Sequence, residues 1–227
     1  VTDLAARWRA TRAAVDAACV AAGRRPDEVT LVAVAKLHPV AAIDAVVAAG
    51  ATDIGENYVQ ELLAKQAAAQ AQPRWHFIGR LQRNKARQIA GKVALIHAVD
   101  SRELGVELGK RVPAGAVQPI LVAVNVADEA TKSGVAVADA PALVAALAAI
   151  PGLRVDGLMT MPPPTDDPEA ARPHFTALRA LRDRLATPAV PLPHLSMGMS
   201  HDFSVAIACG ATLVRIGTAI FGERPAA

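Results

Sequence analysis

Aromatic residues are scarce in this chain: four Phe, two Trp and one Tyr make up 3% of 227 residues. The core therefore has to be filled by alanine and valine. Cysteine is nearly absent as well. Cys19 and Cys209 are too few and too far apart for a disulfide framework or a zinc site, which makes a reducing cytoplasm the natural compartment. No uncharged apolar run reaches the ~18 residues of a membrane span, and charges interrupt the N-terminal stretch "VTDLAARWRATRAAVDAACVAAG", unlike a secretory leader. Neither sign of charge dominates: 24 Lys and Arg stand against 21 Asp and Glu, and a net +3 at a pI of about 9.1 is no footprint for nucleic acid. The most basic stretch, "GRLQRNKARQ" at 79–88, reads as a solvated helix face.

What is present points to a globular protein. Hydrophobic residues make up 52% and charged residues 20%, and the length suits one large domain over residues 1–227. Short β-branched runs alternate with alanine-rich segments from residue 29 onward, the pattern of βα units on a parallel sheet. Strands are expected at "VTLVAVAK", "DIGEN", "WHFIG", "LIHAVD", "PILVAVNV", "LRVDGLMTM", "HLSMG" and "TLVRIGT". Helix signals lie between them: Pro39 and Gly50 bracket one helix, Asp100-Ser101 caps another, and Asp167-Pro168 opens a third. "MPPPTDDP" at 161–168 reads as a surface loop. About eight alternations fit an α/β (β/α)8 barrel; a doubly wound open sheet is the alternative, but the G-x-G-x-x-G expected of a dinucleotide-binding sheet is missing. Only "AIFGERPAA" follows the last strand, so the helix at about 2–23 is expected to complete the outer ring.

In such a barrel the chemistry lies at the C-terminal ends of the strands. Strand alternation puts Val32, Val34 and Lys36 on one face, so Lys36 projects from barrel-filling residues toward the mouth. It is either a lysine snorkelling to solvent or a partly desolvated amine that forms a Schiff base with an aldehyde. The loops after strands seven and eight, "LSMGMSHDFS" and "RIGTAIFG", are where barrels bind phosphate. Ser200 is expected to begin a helix, Gly217 lets an anion approach the backbone, and Thr218 adds a hydroxyl. A plain N-cap and a turn glycine are the alternative. Arg215, on the same face as Leu213 and Gly217, points into the barrel and needs a partner. A carboxylate such as Glu56 or Asp156 is one candidate and a ring nitrogen the other. Taken together, the lysine, the anion cradle and the internal arginine describe an aldehyde-bearing, phosphorylated, pyridine-like ligand.

Seven stretches extend this pattern: "VAVAKLHP", "IGENYVQEL", "WHFIGRLQRNKARQI", "DEATKSGV", "GLMTM", "SMGMSHDF" and "VRIGTAIFG". On these the chain resembles the pyridoxal phosphate homeostasis protein family. The resemblance implies a single barrel like the N-terminal domain of alanine racemase that holds pyridoxal 5′-phosphate (PLP) as a Schiff base on Lys36. It also implies phosphate contacts from Ser200, Gly217 and Thr218, Arg215 at the pyridine nitrogen, and Asn57 near the ring, with His76 and Met159 as lesser candidates. His38 departs from the family, many of whose members carry a second lysine there; if such a lysine serves cofactor exchange, Lys132 is the substitute in this chain.

Two functions remain, a carrier that buffers and delivers PLP to apo-enzymes and a PLP-dependent racemase; a class I aldolase is a third, remote one. A racemase resembling alanine racemase needs a second acid–base group from a C-terminal β-domain, and this chain offers only Tyr58. The carrier, acting as a monomer, is the expectation.

Overall fold

A computed structural model describes residues 2–127 and 134–223 of the chain. Eight parallel strands form a closed barrel: β1 (Thr30–Val34), β2 (Asp53–Glu56), β3 (Arg74–Phe77), β4 (Leu95–Val99), β5 (Gln118–Asn125), β6 (Leu153–Met159), β7 (His194–Ser196) and β8 (Leu213–Ile216). Their order is β4-β3-β2-β1-β8-β7-β6-β5, and the β4–β5 pairing closes the ring. A two-residue strand, Val135–Ala136, adds to the edge of β5 outside the barrel. Each of the eight expected strands is present. These strands read as near-continuous apolar runs because parallel strands in a barrel are covered on both faces, inside by side chains and outside by helices.

The core divides along that alternation. An outer layer, with Leu31, Ala33 and Ala35 of the first strand and its continuation, packs under the helices. A smaller inner cluster of Val32, Leu95, Ala98, Leu121, Ala123, Met159 and Leu213 fills the barrel. No aromatic side chain belongs to that inner cluster. The space left by its small residues is taken up by polar ones, with His76, His97, Ser196 and Arg215 all buried.

The helices are α1 (Thr2–Ala21), α2 (Val40–Ala48), α3 (Val59–Ala68), α4 (Ala86–Ile89), α5 (Arg102–Gly109), α6 (Ala140–Ala148), α7 (Arg172–Leu185), α8 (Phe203–Ala208) and α9 (Thr218–Phe221). Pro39 precedes α2, the Ser101 hydroxyl accepts from Leu104 N–H at the start of α5, and Asp167 accepts from Glu169 N–H before α7. Two expectations need correcting. The basic stretch at 79–88 is not one helix face: a 3-10 turn, Arg83–Lys85, leads into the single turn of α4, although Arg80, Arg83 and Arg87 are solvated as expected. The helix expected at Ser200 begins at Phe203, because the Asp202 carboxylate accepts from Met199 N–H and closes a turn first.

Helix α1 completes the outer ring by packing against α2, α8 and α9. Its Arg7 donates from Nη2 to Thr218 O (2.8 Å), and Trp8 is buried in the outer layer. Truncating a buried tryptophan removes its contacts and leaves a cavity. Trp8→Ala is therefore expected to lower the unfolding free energy by about 3–5 kcal/mol, read from the urea midpoint; a change within ~0.5 kcal/mol would mean that α1 is not part of the cooperative barrel.

Candidate functional site

Lys36 lies just beyond β1, half-buried, on the parity of the inward-facing Val32. Its neighbours are held from below. Lys65 of α3, itself buried, donates from Nζ to Ala35 O (2.9 Å), Glu56 Oε1 (2.8 Å) and Glu61 Oε2 (2.8 Å). The same Glu61 oxygen accepts from Leu37 N–H (2.9 Å). One buried ion cluster thus grips the backbone on both sides of Lys36. It also stabilises an unusual conformation: Leu37 has φ +64°, the left-handed region that a residue with a Cβ enters only at a cost of about 1–2 kcal/mol.

The two carboxyls in this clamp respond oppositely. Burial pushes Glu56 up to about 7 even against the Lys65 ammonium, and its Oε2 has no hydrogen-bond partner. Burial acts upward on Glu61 too, but hydrogen bonds from Lys65 and Leu37 outweigh it and hold that carboxyl below its ordinary value.

Arg215 points into the barrel, as its parity required, and is 5% exposed. Its expected carboxylate partners are engaged elsewhere, Glu56 by Lys65 and Asp156 by Arg154. Instead Nη1 donates to Ser196 Oγ (2.6 Å) and Nη2 to Thr160 O (3.1 Å). Burial brings its pKa down to about 10, opposed by the Asp202 carboxylate, so the guanidinium stays charged at neutral pH. Met159, on the strand end beside Thr160, belongs to the inner cluster. His76 is buried, with Nε2 on Asp53 Oδ1 (2.8 Å) and Nδ1 on His97 Nε2 (2.9 Å).

Beside Lys36, at the end of the neighbouring strand β8, Thr218 opens α9, whose first N–H groups have no intrahelical acceptor. Gly217 precedes it because a Cβ there would sit 3.2 Å from Val34 O, so a side chain would push β8 away from β1. Ser200 lies in the turn that ends at Asp202. The rings of His38 and Phe221 stack with centroids 5.1 Å apart, joining the Lys36 loop to α9. Asn57, at the end of β2, has a buried Oδ1 without a partner. Its backbone is pressed by Gly79 of the "WHFIG" stretch, where a Cβ would lie 2.2 Å from Asn57 O. Lys132 lies outside the described residues.

A cleft of about 920 Å³ opens beside the ends of β2, β3 and β4, lined by Asn57, Tyr58, Arg80, Arg83, Lys85 and Asp100 among others; of the expected site residues it reaches only Asn57. The residues that hold the site together were the harder ones to foresee. Glu61 and Lys65, four apart on α3, read as an ordinary surface pair, and nothing local marked Ser196 as the support for Arg215.

The family model for the alanine racemase N-terminal domain matches residues 12–225. A protein of Aquifex aeolicus named pyridoxal phosphate homeostasis protein is 46% identical over 213 residues, 92% of this chain and 93% of that one. One of the same name from Pseudomonas aeruginosa is 48% identical over 210 residues, covering 91% and 90%. Among solved structures, PipY of Synechococcus elongatus, determined with PLP bound, superposes with a TM-score of 0.84 at 34% identity, covering 96% of this chain and 100% of that one. Alanine racemase of Corynebacterium glutamicum shares the fold, with a TM-score of 0.72 at 18% identity; the match takes in 62% of that chain.

The clamp has a pH signature. A carboxyl raised from 4.5 to about 7 keeps a proton in the folded chain that the unfolded chain has released, so its contribution to stability falls as pH rises through that window. Urea unfolding of Glu56→Gln and the parent from about pH 5 to about pH 8 is expected to favour the variant increasingly as pH rises. A constant difference would show that Glu56 titrates normally.

Proposed function

The chain belongs to the pyridoxal phosphate homeostasis protein family, and on that footing we propose that it holds PLP on Lys36 at the barrel mouth, keeping the cofactor bound until an apo-enzyme takes it. One observation carries the site assignment. The inward parity of β1 and β8 places an amine, a guanidinium and the open N–H groups of α9 around one end of the barrel. When bound, PLP supplies an aldehyde that a lysine amine captures as a Schiff base, a pyridine nitrogen that accepts a hydrogen bond, and a phosphate.

The residues present fit that group. Lys36 would hold the aldehyde, and the clamp below it fixes the backbone from which the amine extends. Ser200, Gly217 and Thr218 would take the phosphate, where the close approach of the Gly217 backbone to Val34 leaves no side chain in the way. Arg215 would meet the ring nitrogen. The buried Asn57 Oδ1, still without a donor, supports a place for Asn57 beside the ring. Met159 and His76 lie in the barrel interior and would act from beneath.

The same chemistry favours holding over catalysis. A guanidinium with a pKa of about 10 keeps its proton at neutral pH, so it donates a hydrogen bond to a ring nitrogen without protonating it. An unprotonated ring is the weaker electron sink. The one tyrosine, Tyr58, is half exposed on the loop into α3. The relatives matched over about nine-tenths of their length carry the homeostasis name.

We place the protein in the cytoplasm as a monomer. The free thiols of Cys19 and Cys209 support that compartment, and no helix among the described residues is long and apolar enough to cross a membrane.

The test of function is delivery. Protein loaded with PLP is expected to activate an apo-enzyme in the presence of a scavenger that traps free cofactor, and Lys36→Ala is expected to fail. No activation, together with amino-acid racemisation at ordinary enzyme rates, would replace the carrier with an enzyme.

A further inference from the structure

The buried polar groups of the barrel interior form one connected chain. Arg215 Nη1 reaches Ser196 Oγ (2.6 Å), Ser196 Oγ lies 2.8 Å from His97 Nδ1, His97 Nε2 lies 2.9 Å from His76 Nδ1, and His76 Nε2 lies 2.8 Å from Asp53 Oδ1. The chain starts on β8 and β7, crosses the interior to β4 and β3, and ends at the first residue of β2. Every side chain in it is buried.

Its two ends fix the protons next to them, and the charge of the two rings decides the rest. A guanidinium only donates, so Ser196 Oγ accepts from Arg215. At the other end burial acts to raise the Asp53 carboxyl, but hydrogen bonds from His76 and Thr52 and the charge of Arg74 outweigh it and keep the group ionised. An ionised carboxylate only accepts, so His76 carries its proton on Nε2. With neutral rings the remainder follows. His76 Nδ1 accepts from His97 Nε2–H, and His97 Nδ1 accepts the single hydroxyl proton of Ser196. Burial, with the Arg215 charge nearby, holds His97 well below its ordinary pKa, in keeping with a neutral ring. The reverse order would set the lone pair of His76 Nε2 against the Asp53 carboxylate.

We propose that Asp53, His76, His97 and Ser196 are positioning residues for Arg215, forming a polarised hydrogen-bond chain through which the carboxylate at the start of β2 acts on a pyridine nitrogen held by the guanidinium. The inference rests on the reading of Arg215 given above. Asp53 supplies the countercharge that Arg215 lacks among its direct partners, and the two imidazoles carry its influence across the barrel. A chain whose members each use their one available proton polarises as a unit, so a change at one end alters donor strength at the other. The N-terminal end of a barrel strand, ordinarily a matter of stability alone, then bears on the ligand.

Histidine-selective ¹⁵N NMR of the protein without ligand tests the order directly. Both His76 and His97 are expected as neutral Nε2–H tautomers at neutral pH; an imidazolium or an Nδ1–H form at either ring contradicts the chain. PLP is the probe for the coupling. With it bound, Asp53→Asn is expected to move the visible absorption maximum and weaken binding by about fivefold, and Ser196→Ala, which cuts the chain, should abolish the further effect of Asp53→Asn in the double variant. If Arg215→Glu alters the spectrum and Asp53→Asn does not, the coupling is wrong and the role of Arg215 stands. If neither alters it, the reading of Arg215 falls and the coupling with it. Should Asp53→Asn fail to fold, Ser196→Ala alone decides: a shifted maximum supports the proposal and an unshifted one overturns it.

Discussion

Side chains alternate along a strand, and once eight parallel strands close on themselves that alternation decides which residues share the interior and the mouth. In this chain Val32 and Leu213 fill the barrel, and the same parity carries Lys36 and Arg215 inward at neighbouring strand ends. Every other feature of the site answers to this constraint. Two cations brought into an apolar surrounding must be held in place, and the inner residues must be small enough to leave them room.

The protein meets the two demands differently. Around Lys36 it uses ions: Lys65 between Glu56 and Glu61, gripping Ala35 O and Leu37 N–H. Losing Lys65 from such a cluster costs about 3–5 kcal/mol, because it leaves two carboxyls without their countercharge. That stake is large enough to keep Leu37 in its left-handed conformation and so to fix the backbone from which Lys36 extends. Around Arg215 the direct partners are neutral, a hydroxyl and a carbonyl, and the balancing carboxylate sits three hydrogen bonds beyond the hydroxyl. The first arrangement fixes a backbone, whereas the second leaves a donor oriented but still fully charged.

The sequence revealed the parts that follow from periodicity and missed those that depend on tertiary approach. Eight apolar runs, the absence of a dinucleotide fingerprint and the parity of Lys36 and Arg215 were enough for the barrel and its inward-facing residues. Proline and Asx signals located the starts of α2 and α5 and of the 3-10 turn that leads into α7, yet the same reasoning opened α8 at Ser200, because the side-chain turn closed by Asp202 has no periodic signature. Glu56 was proposed as a partner for Arg215, but it faces away from the barrel toward Lys65; its place on β2, of opposite parity to the inward Asp53 and Gly55, already carried that information. His76 was expected as a lesser ligand contact, and nothing local linked it to His97. Only the pairing of β3 with β4 brings them to 2.9 Å.

The central claim is that this barrel captures an aldehyde cofactor on one particular amine. Borohydride reduction of the protein incubated with PLP, followed by peptide mass analysis, tests it most directly. The account predicts a phosphopyridoxyl group on the peptide that contains Lys36 and none on that peptide in a Lys36→Arg variant. A colourless protein whose Lys36 peptide keeps its unmodified mass would contradict it.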